Sequence, residues 1–274
     1  MQRRFRELIY RETGIKMPQN KDHLIASRLR KRQIALGLNS LDSYLAHLFD
    51  GGALDAEWPE ILDLVTTNKT DFFREPAHYD VLAHTAIPEA FARKSSTEPV
   101  QFRLWSAAAS IGAEAYSAAM VLAEAARENR LLDWMILGTD LSGGALAKAR
   151  NAIYPAEELA PVPPELRQRY AMRGRPGARS REMRIVPELR RRTRFEQLNL
   201  IEPPYPVAFN LDVIMLRNVL IYFDHDRQTK VVNNVVDHLR PGGHFYVGHA
   251  ESMIVNDPRL EQLAPATFRR KDTI

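Results

Sequence analysis

QFRLWSAAASIGAEAYSAAM, residues 101–120, decides the architecture. Gln101–Ala107 is a short apolar run with the length of a buried strand. Ser110-Ile111-Gly112 forms a loop, and an alanine-rich helix follows. The same grammar recurs along the chain. WMILGTD (134–140) reads as a second strand that ends in an acid, and LSGGALAKARNAI (141–153) as a helix with Ser142 as its N-cap. LDVIMLRN (211–218) is a later strand. Asp224 or Asp226 starts a helix whose inner face is Val231, Val235, Val236 and Leu239. Pro241-Gly242-Gly243 breaks it before HFYVGHA (244–250), the next strand. Strand–helix alternation of this kind builds a parallel sheet with right-handed crossovers. Residues 155–195 interrupt it. They are rich in Pro and Arg, with candidate strands near 183–186 and 193–198, and read as a small β insertion.

Before this α/β region the pattern is helical. Leu24, Ile25, Leu29 and Ile34 fall on helical spacing, with Arg28, Arg30, Lys31 and Arg32 on the other sides. Gly37 ends that helix, and Ser40 caps LDSYLAHLF. The expected domains are a helical unit over 1–66, a linker over 67–95, and an α/β domain over 96–274 carrying the insertion at about 155–195.

Such a sheet binds ligands beyond the C-terminal ends of its strands. The loop after the first strand has one glycine, Gly112, which permits close backbone approach. It lacks GxGxxG, so a dinucleotide is disfavoured. Glu114 lies in the first helical turn, where its charge also suits the helix dipole. Asp140 is placed to accept both hydroxyls of a ribose, with a helix cap as the competing role. A ribose acid without a phosphate cradle fits a nucleoside ligand lacking pyrophosphate, and S-adenosylmethionine answers that description.

Composition narrows the class. The 274 residues are 45% hydrophobic and 26% charged, with no cysteine, which removes disulfides, thiolate metal sites and cysteine nucleophiles. No apolar run approaches the ~18 residues of a membrane span, and the N-terminus has no signal-peptide core, so a cytoplasmic location without membrane insertion is expected. No metal site is expected. Net charge is +4, unevenly spread: residues 3–32 carry ten Lys/Arg and residues 165–194 carry eleven Arg. Two basic patches imply an acidic partner.

TTNKTDFFRE (66–75), RLWSAAASIGAEAYSAAM (103–120), GTDLS (138–142), LNL (198–200), MLRNVLIYFD (215–224) and LRPGGHFYVGHAES (239–252) occur in order. Together they resemble the motif series of the chemotaxis receptor glutamate methyltransferases (CheR). RLRKRQIALGLNSLDSYL (28–45) is similar to that family's helical domain, so the resemblance spans nearly the whole chain. It implies a small all-helical N-terminal domain, then a Rossmann-like S-adenosylmethionine-dependent methyltransferase domain with an inserted antiparallel β subdomain. It also implies an enzyme that esterifies receptor glutamates.

By the same resemblance Asn68, Thr70 and Arg74 contact the cofactor from the segment joining the domains. Glu114 and Asp140 match acidic contacts, and Asn199, Leu200, Asn218 and Val219 match the adenine surroundings. Tyr222 faces the methyl-transfer centre. Arg74 and Tyr222 are the catalytic candidates, with Phe72 and Phe73 as apolar walls, a core role for at least one of them being the alternative. GAEA stands where the family commonly shows GEEP, and the aligned Glu114 is kept. The expected partner is the acidic helical region of chemotaxis receptors, docking on Arg28, Lys31 and Arg32 and on the arginine-rich stretch 167–194.

Two rivals are a nucleic-acid methyltransferase and a non-catalytic cofactor-binding signalling protein. Glu202-Pro203-Pro204-Tyr205 imitates an amino-methylation motif, but it carries Glu and precedes its strand rather than following it. Cytosine C5 chemistry needs a cysteine, and there is none. No nucleic-acid partner is expected. Arg74 and Tyr222 argue for catalysis.

Overall fold

The computed structural model describes residues 1–17, 22–94, 97–173 and 181–272. Four helices form the N-terminal unit: α1 (Gln2–Thr13), α2 (Asp22–Ala35), α3 (Leu41–Phe49) and α4 (Leu54–Val65). Their shared core contains Phe5, Ile9, Ile25, Leu29, Tyr44, Leu45, Leu48, Ile61 and Val65. Ser40 caps α3 through a reciprocal capping box with Ser43. Ile25 and Leu29 are core residues as expected. Ile34 is not: it is 63% exposed. The side chain of Leu24 lies outside the described residues.

Residues 77–92 run through α5 (Ala77–Val81), a π-helical turn (Leu82–Ala86) and α6 (Ile87–Ala92) into the sheet. The remaining helices are α7 (Ala113–Glu128), α8 (Gly143–Asn151), α9 (Pro164–Tyr170), α10 (Pro187–Arg192) and α11 (His225–Asp237). The strands are β1 (Val100–Ser106), β2 (Leu132–Asp140), β3 (Ile153–Pro155), β4 (Ala171–Arg173), β5 (Glu182–Ile185), β6 (Thr193–Gln197), β7 (Leu211–Leu216), β8 (Leu239–Val247), β9 (Leu260–Ala264) and β10 (Thr267–Arg270).

Seven strands form the main sheet in the order β6-β2-β1-β7-β8-β10-β9. β6, β2, β1, β7 and β8 are parallel, and β10 runs antiparallel to β8 and β9. Alternation along β1 serves two cores. Phe102 and Leu104 face one with Trp134, Ile136 and Met215, while Trp105 faces the other with Ile214, Phe245 and Val235 of α11. α7 is buried along most of its length, and its alanines let it press close to the sheet.

The insertion is smaller than expected. β3, β5 and β4 make a three-stranded antiparallel sheet, but the candidate strand at 193–198 belongs to the main sheet as edge strand β6, paired parallel with β2. Residues 174–180 of the arginine-rich stretch lie outside the described residues. Pro241-Gly242-Gly243 falls inside β8 rather than between elements, where the pairing with β7 shifts register.

Candidate active site

The C-terminal ends of β1, β2 and β7 open on a cavity of about 350 Å³. Its floor comes from the sheet. Its roof comes from Thr13–Met17, from α2 and from residues 65–74. The roof segment contributes Asn68, Thr70 and Arg74. The floor contributes Glu114, Asp140, Asn199, Leu200, Asn218, Val219 and Tyr222. All ten residues expected at the site therefore share one cavity.

Asp140 ends β2, and each carboxylate oxygen takes one backbone amide: Ser110 N–H donates to Oδ2 (2.8 Å) and Ser142 N–H to Oδ1 (3.0 Å). Burial raises its pKa, against the pull of the Ser142, Ser110 and Leu141 amides. The cap of α8 is Ser142 itself, whose hydroxyl accepts from Ala145 N–H. Asp140 is thus free of the capping role and keeps acceptor capacity on both oxygens.

Glu114 is 6% exposed. It accepts from the Ser106 hydroxyl (2.7 Å) and pairs with Arg217 Nη1 (2.9 Å). Arg217 was not singled out by sequence reasoning, although it is the first charge after the fully buried end of β7. It is 5% exposed, donates to the Arg74 carbonyl, pairs with Glu75 (3.1 Å) and points at the Tyr79 hydroxyl (3.4 Å). Burial opposes its charge, and Glu114, Tyr79 and Glu75 more than offset that, raising its pKa. Burial alone would raise the Glu75 carboxyl. Arg217, the His249 amide and His78 instead hold it below its usual range. The donor atoms of Glu75, His78 and His249 lie within 4.8 Å of one another, with Glu75 already paired to Arg217.

Backbone conformation is unusual here. Phe73, Glu75, Ser110 and Asn218 all have φ between 50° and 58°, a left-handed region costing about 1–3 kcal/mol for such residues. Hydrogen bonds over-determine them. Glu251, fully buried, accepts from Asn218 N–H (2.7 Å), Gly248 N–H (2.8 Å) and Ile221 N–H (3.3 Å). It locks together the two 3-10 turns Leu220–Tyr222 and His249–Glu251. Phe73 N–H donates to the Ser117 hydroxyl.

Two groups on the wall have no such ties. Among the described residues, neither the Arg74 guanidinium nor the Tyr222 hydroxyl has a hydrogen-bond partner. Asn199 is committed, donating to the Glu12 carbonyl and to Glu202 (both 2.7 Å). Asn68 bridges to Ser142 Oγ (3.3 Å), and Ser110 Oγ donates to the Asn68 carbonyl (2.9 Å).

Several expectations change. Phe72 is a core residue, packed edge-on against Tyr154, and Phe73 leans on Tyr79; neither lines the cavity. Gly112 is also off the wall. With φ 88°, it is a glycine because a Cβ would meet Ala149 Cβ at 2.9 Å and Phe195 Cζ at 3.1 Å. Tyr205 of the decoy motif is buried, its hydroxyl donating to the Leu200 carbonyl. On α2, Arg28 is bonded to the Val65 carbonyl and Thr67 Oγ1, and lines the roof. Arg32 forms a two-point ion pair with buried Glu57. Only Arg30 and Lys31 of that cluster are exposed.

Residues 68–269 match the SAM binding domain of CheR methyltransferase, and residues 3–66 match its all-alpha domain. The chain is 39% identical over 251 residues to chemotaxis protein methyltransferase 2 of Pseudomonas aeruginosa, covering 91% of this chain and 85% of that one. It is 38% identical over 252 residues to the chemotaxis protein methyltransferase of Salmonella typhimurium, covering 91% and 83%. Borreliella burgdorferi has a chemotaxis protein methyltransferase 30% identical over 265 residues, covering 96% and 92%.

Proposed function

The chain belongs to the CheR methyltransferase family, and with that as premise we propose that it esterifies glutamate side chains on an acidic helical region of chemotaxis receptors. It is an S-adenosylmethionine-dependent methyltransferase. The donor set suits this cofactor. Asp140 keeps acceptors for a ribose diol, Glu114 offers a carboxylate to an ammonium, and Arg74 an unpaired guanidinium to a carboxylate. Leu141, Leu198, Leu200, Val219 and Phe223 give the cavity an apolar side for a purine.

When bound, the cofactor supplies a methyl group on a positively charged sulfur. The acceptor carbon–oxygen bond forms as the carbon–sulfur bond breaks, and no proton moves. A glutamate with a reference pKa near ~4.3 is already the nucleophile at neutral pH, so no general base is needed. The protein's task is alignment, which supplies roughly 7–11 kcal/mol of barrier reduction in well-oriented cases. Water must also be kept from the carboxylate, and the roof over the cavity serves that end. Tyr222 is assigned to donate its free hydroxyl to the acceptor oxygen not under attack. The single observation carrying this reading is the pairing of an unpartnered Tyr222 hydroxyl and Arg74 guanidinium on the wall where Asp140 and Glu114 also converge.

Docking belongs to the outer face of α2. Ser27, Arg30, Lys31 and Ile34 fall at i, i+3, i+4 and i+7 and are all exposed. They form a mixed cationic and apolar stripe suited to an acidic amphipathic helix. Incubation with methyl-labelled S-adenosylmethionine and receptor cytoplasmic fragments tests the reading. The label should leave as volatile methanol in mild base. Label that survives base excludes a glutamate ester.

A further inference from the structure

We propose that Lys16 is the cation that receives the acceptor carboxylate on the cavity wall beside Tyr222; this rests on the reading of the acceptor given above. Lys16 lines the cavity and is exposed. Among the described residues, no hydrogen bond or ion pair occupies its ammonium.

The backbone of Lys16 is fixed at the reacting end. α1 stops at Gly14, whose φ of 75° is left-handed. A Cβ there would meet Ile201 Cγ2 at 2.8 Å and Phe223 Cε1 at 3.0 Å, so glycine lets the chain lie this close to the floor. Ile15 N–H then donates to the Thr13 hydroxyl (3.1 Å), and Lys16 N–H donates to the Tyr222 carbonyl (3.0 Å). Lys16 and Tyr222 are therefore backbone neighbours that line one cavity.

The other cations of the wall are committed or stand elsewhere. Arg28 donates to the Val65 carbonyl and Thr67 Oγ1, and Arg217 pairs with Glu75 and Glu114. Arg74 is assigned to the carboxylate of the cofactor. Lys69 is also unpaired among the described residues, but it belongs to the other end. Its neighbour Asn68 reaches Ser142 Oγ (3.3 Å) and accepts from Ser110 Oγ (2.9 Å). Ser110 and Ser142 are the residues whose amides hold Asp140.

The reaction defines what Lys16 does. The acceptor arrives as an anion and leaves as a neutral ester: its oxygen bonds the methyl carbon, and the carbon–sulfur electron pair stays on sulfur. Charge on the carboxylate fades as that bond forms. A cation held against it thus stabilises the bound acceptor more than the transition state, and works in capture rather than in methyl transfer. It also gives the site a direction. A carboxylate is held by a charge-assisted bond, and an ester or an amide is not. Lys16 thereby separates an unmodified glutamate from the product and from glutamine.

The test uses the full chain, labelled S-adenosylmethionine and a receptor cytoplasmic fragment. Lys16→Gln should raise the acceptor KM about tenfold, with the turnover number undiminished and calorimetric cofactor affinity unchanged. Lys16→Arg keeps the charge and should hold KM within about twofold of the unaltered protein. The same fragment with glutamine at its acceptor positions, added as a competitor, should show a KI about tenfold above the acceptor KM. Lys16→Gln should bring those two constants together. Lys69→Gln removes the same charge from the other end and should change the acceptor KM by less than about twofold. A Lys16→Gln protein whose KM stays within about twofold overturns the proposal while leaving the glutamate reading intact. Equal losses from Lys16→Gln and Lys69→Gln also overturn it, because the charge would then act only as a general field. A loss confined to turnover does so too, since Lys16 would then only seat Tyr222, and weakened cofactor binding would assign Lys16 to the cofactor instead. Failure of the unaltered protein to label glutamate at all would overturn the reading of the acceptor.

Discussion

The floor and the roof of the cavity are built on different principles. Floor charges are answered within the protein: Glu114 by Arg217 and Ser106, Asp140 by two amides, Asn218 by Glu251. The roof is hung on the floor by a few long-range contacts. Asp63 of α4 accepts from Ser142 Oγ (2.7 Å) and Gly144 N–H (3.0 Å), and Asn68 Nδ2 reaches Ser142 Oγ (3.3 Å). Among the described residues, the Arg74 guanidinium of the roof has no hydrogen-bond partner. The contrast teaches that the floor is preformed apart from the free Tyr222 hydroxyl, while the roof keeps Arg74 free for what enters. Damage to the floor should therefore appear as lost stability and cofactor affinity, and damage to the roof as altered capture and turnover.

The severest test of that division is Arg217→Ala. It strands Glu75 and Glu114 in a buried setting, and loss of one partner from such a group costs about 3–5 kcal/mol. Urea denaturation should show that loss, with cofactor binding abolished. A stable variant would mean that the floor is not held by this cation.

Acidification comes next. Burial and the neighbouring Arg217 lower the His78 pKa from 6.5 to about 4. The unfolded chain thus takes up a proton that the folded one refuses. Stability from this group is complete above pH 6.5 and falls as pH drops toward 4, by up to roughly 3 kcal/mol. His78→Gln should flatten the slope of stability against pH in that window. An unchanged slope would place the acid sensitivity elsewhere.

Asp140→Ala removes hydrogen bonds to a charged acceptor, each worth ~1.5–3 kcal/mol. Calorimetry should show cofactor affinity at least about tenfold weaker. Asp63→Ala acts on the roof and should cost about 1 kcal/mol at most, as loss of a helix-end acceptor does. It should raise the cofactor KM while leaving the methyltransferase domain's unfolding unchanged. The smallest effect is expected from Lys31→Glu: about two- to threefold in acceptor KM, with a shallower salt dependence. If Arg32→Glu proves milder than Lys31→Glu, the pairing of Arg32 with Glu57 carries no weight.

The floor was legible in the sequence because strand ends are. Asp140 and Glu114 follow from where β1 and β2 stop, with no knowledge of partners. The roof was not. Residues 66–75 have no periodicity, and only their likeness to a known motif located Asn68, Thr70 and Arg74. Where local reading went wrong, a distant partner was the cause. Arg28 and Arg32 looked like a docking face, yet Val65, Thr67 and Glu57 turn them inward. The strand at 193–197 looked like part of the insertion, yet β2 supplies its hydrogen bonds. Phe72 read as a ligand wall or a core residue, and edge-on packing with Tyr154 makes it core.

Among the described residues, hydrogen bonds tie the helical unit to the α/β domain at two separated places. One is Asp63 against Ser142 and Gly144. The other is the end of α1, where Tyr10 donates to Asp224 (2.5 Å), the Glu12 carbonyl accepts from Asn199, and Lys16 N–H donates to the Tyr222 carbonyl. The second place grips the backbone of the residue assigned to the acceptor, so the position of α1 and the placement of Tyr222 are mechanically coupled.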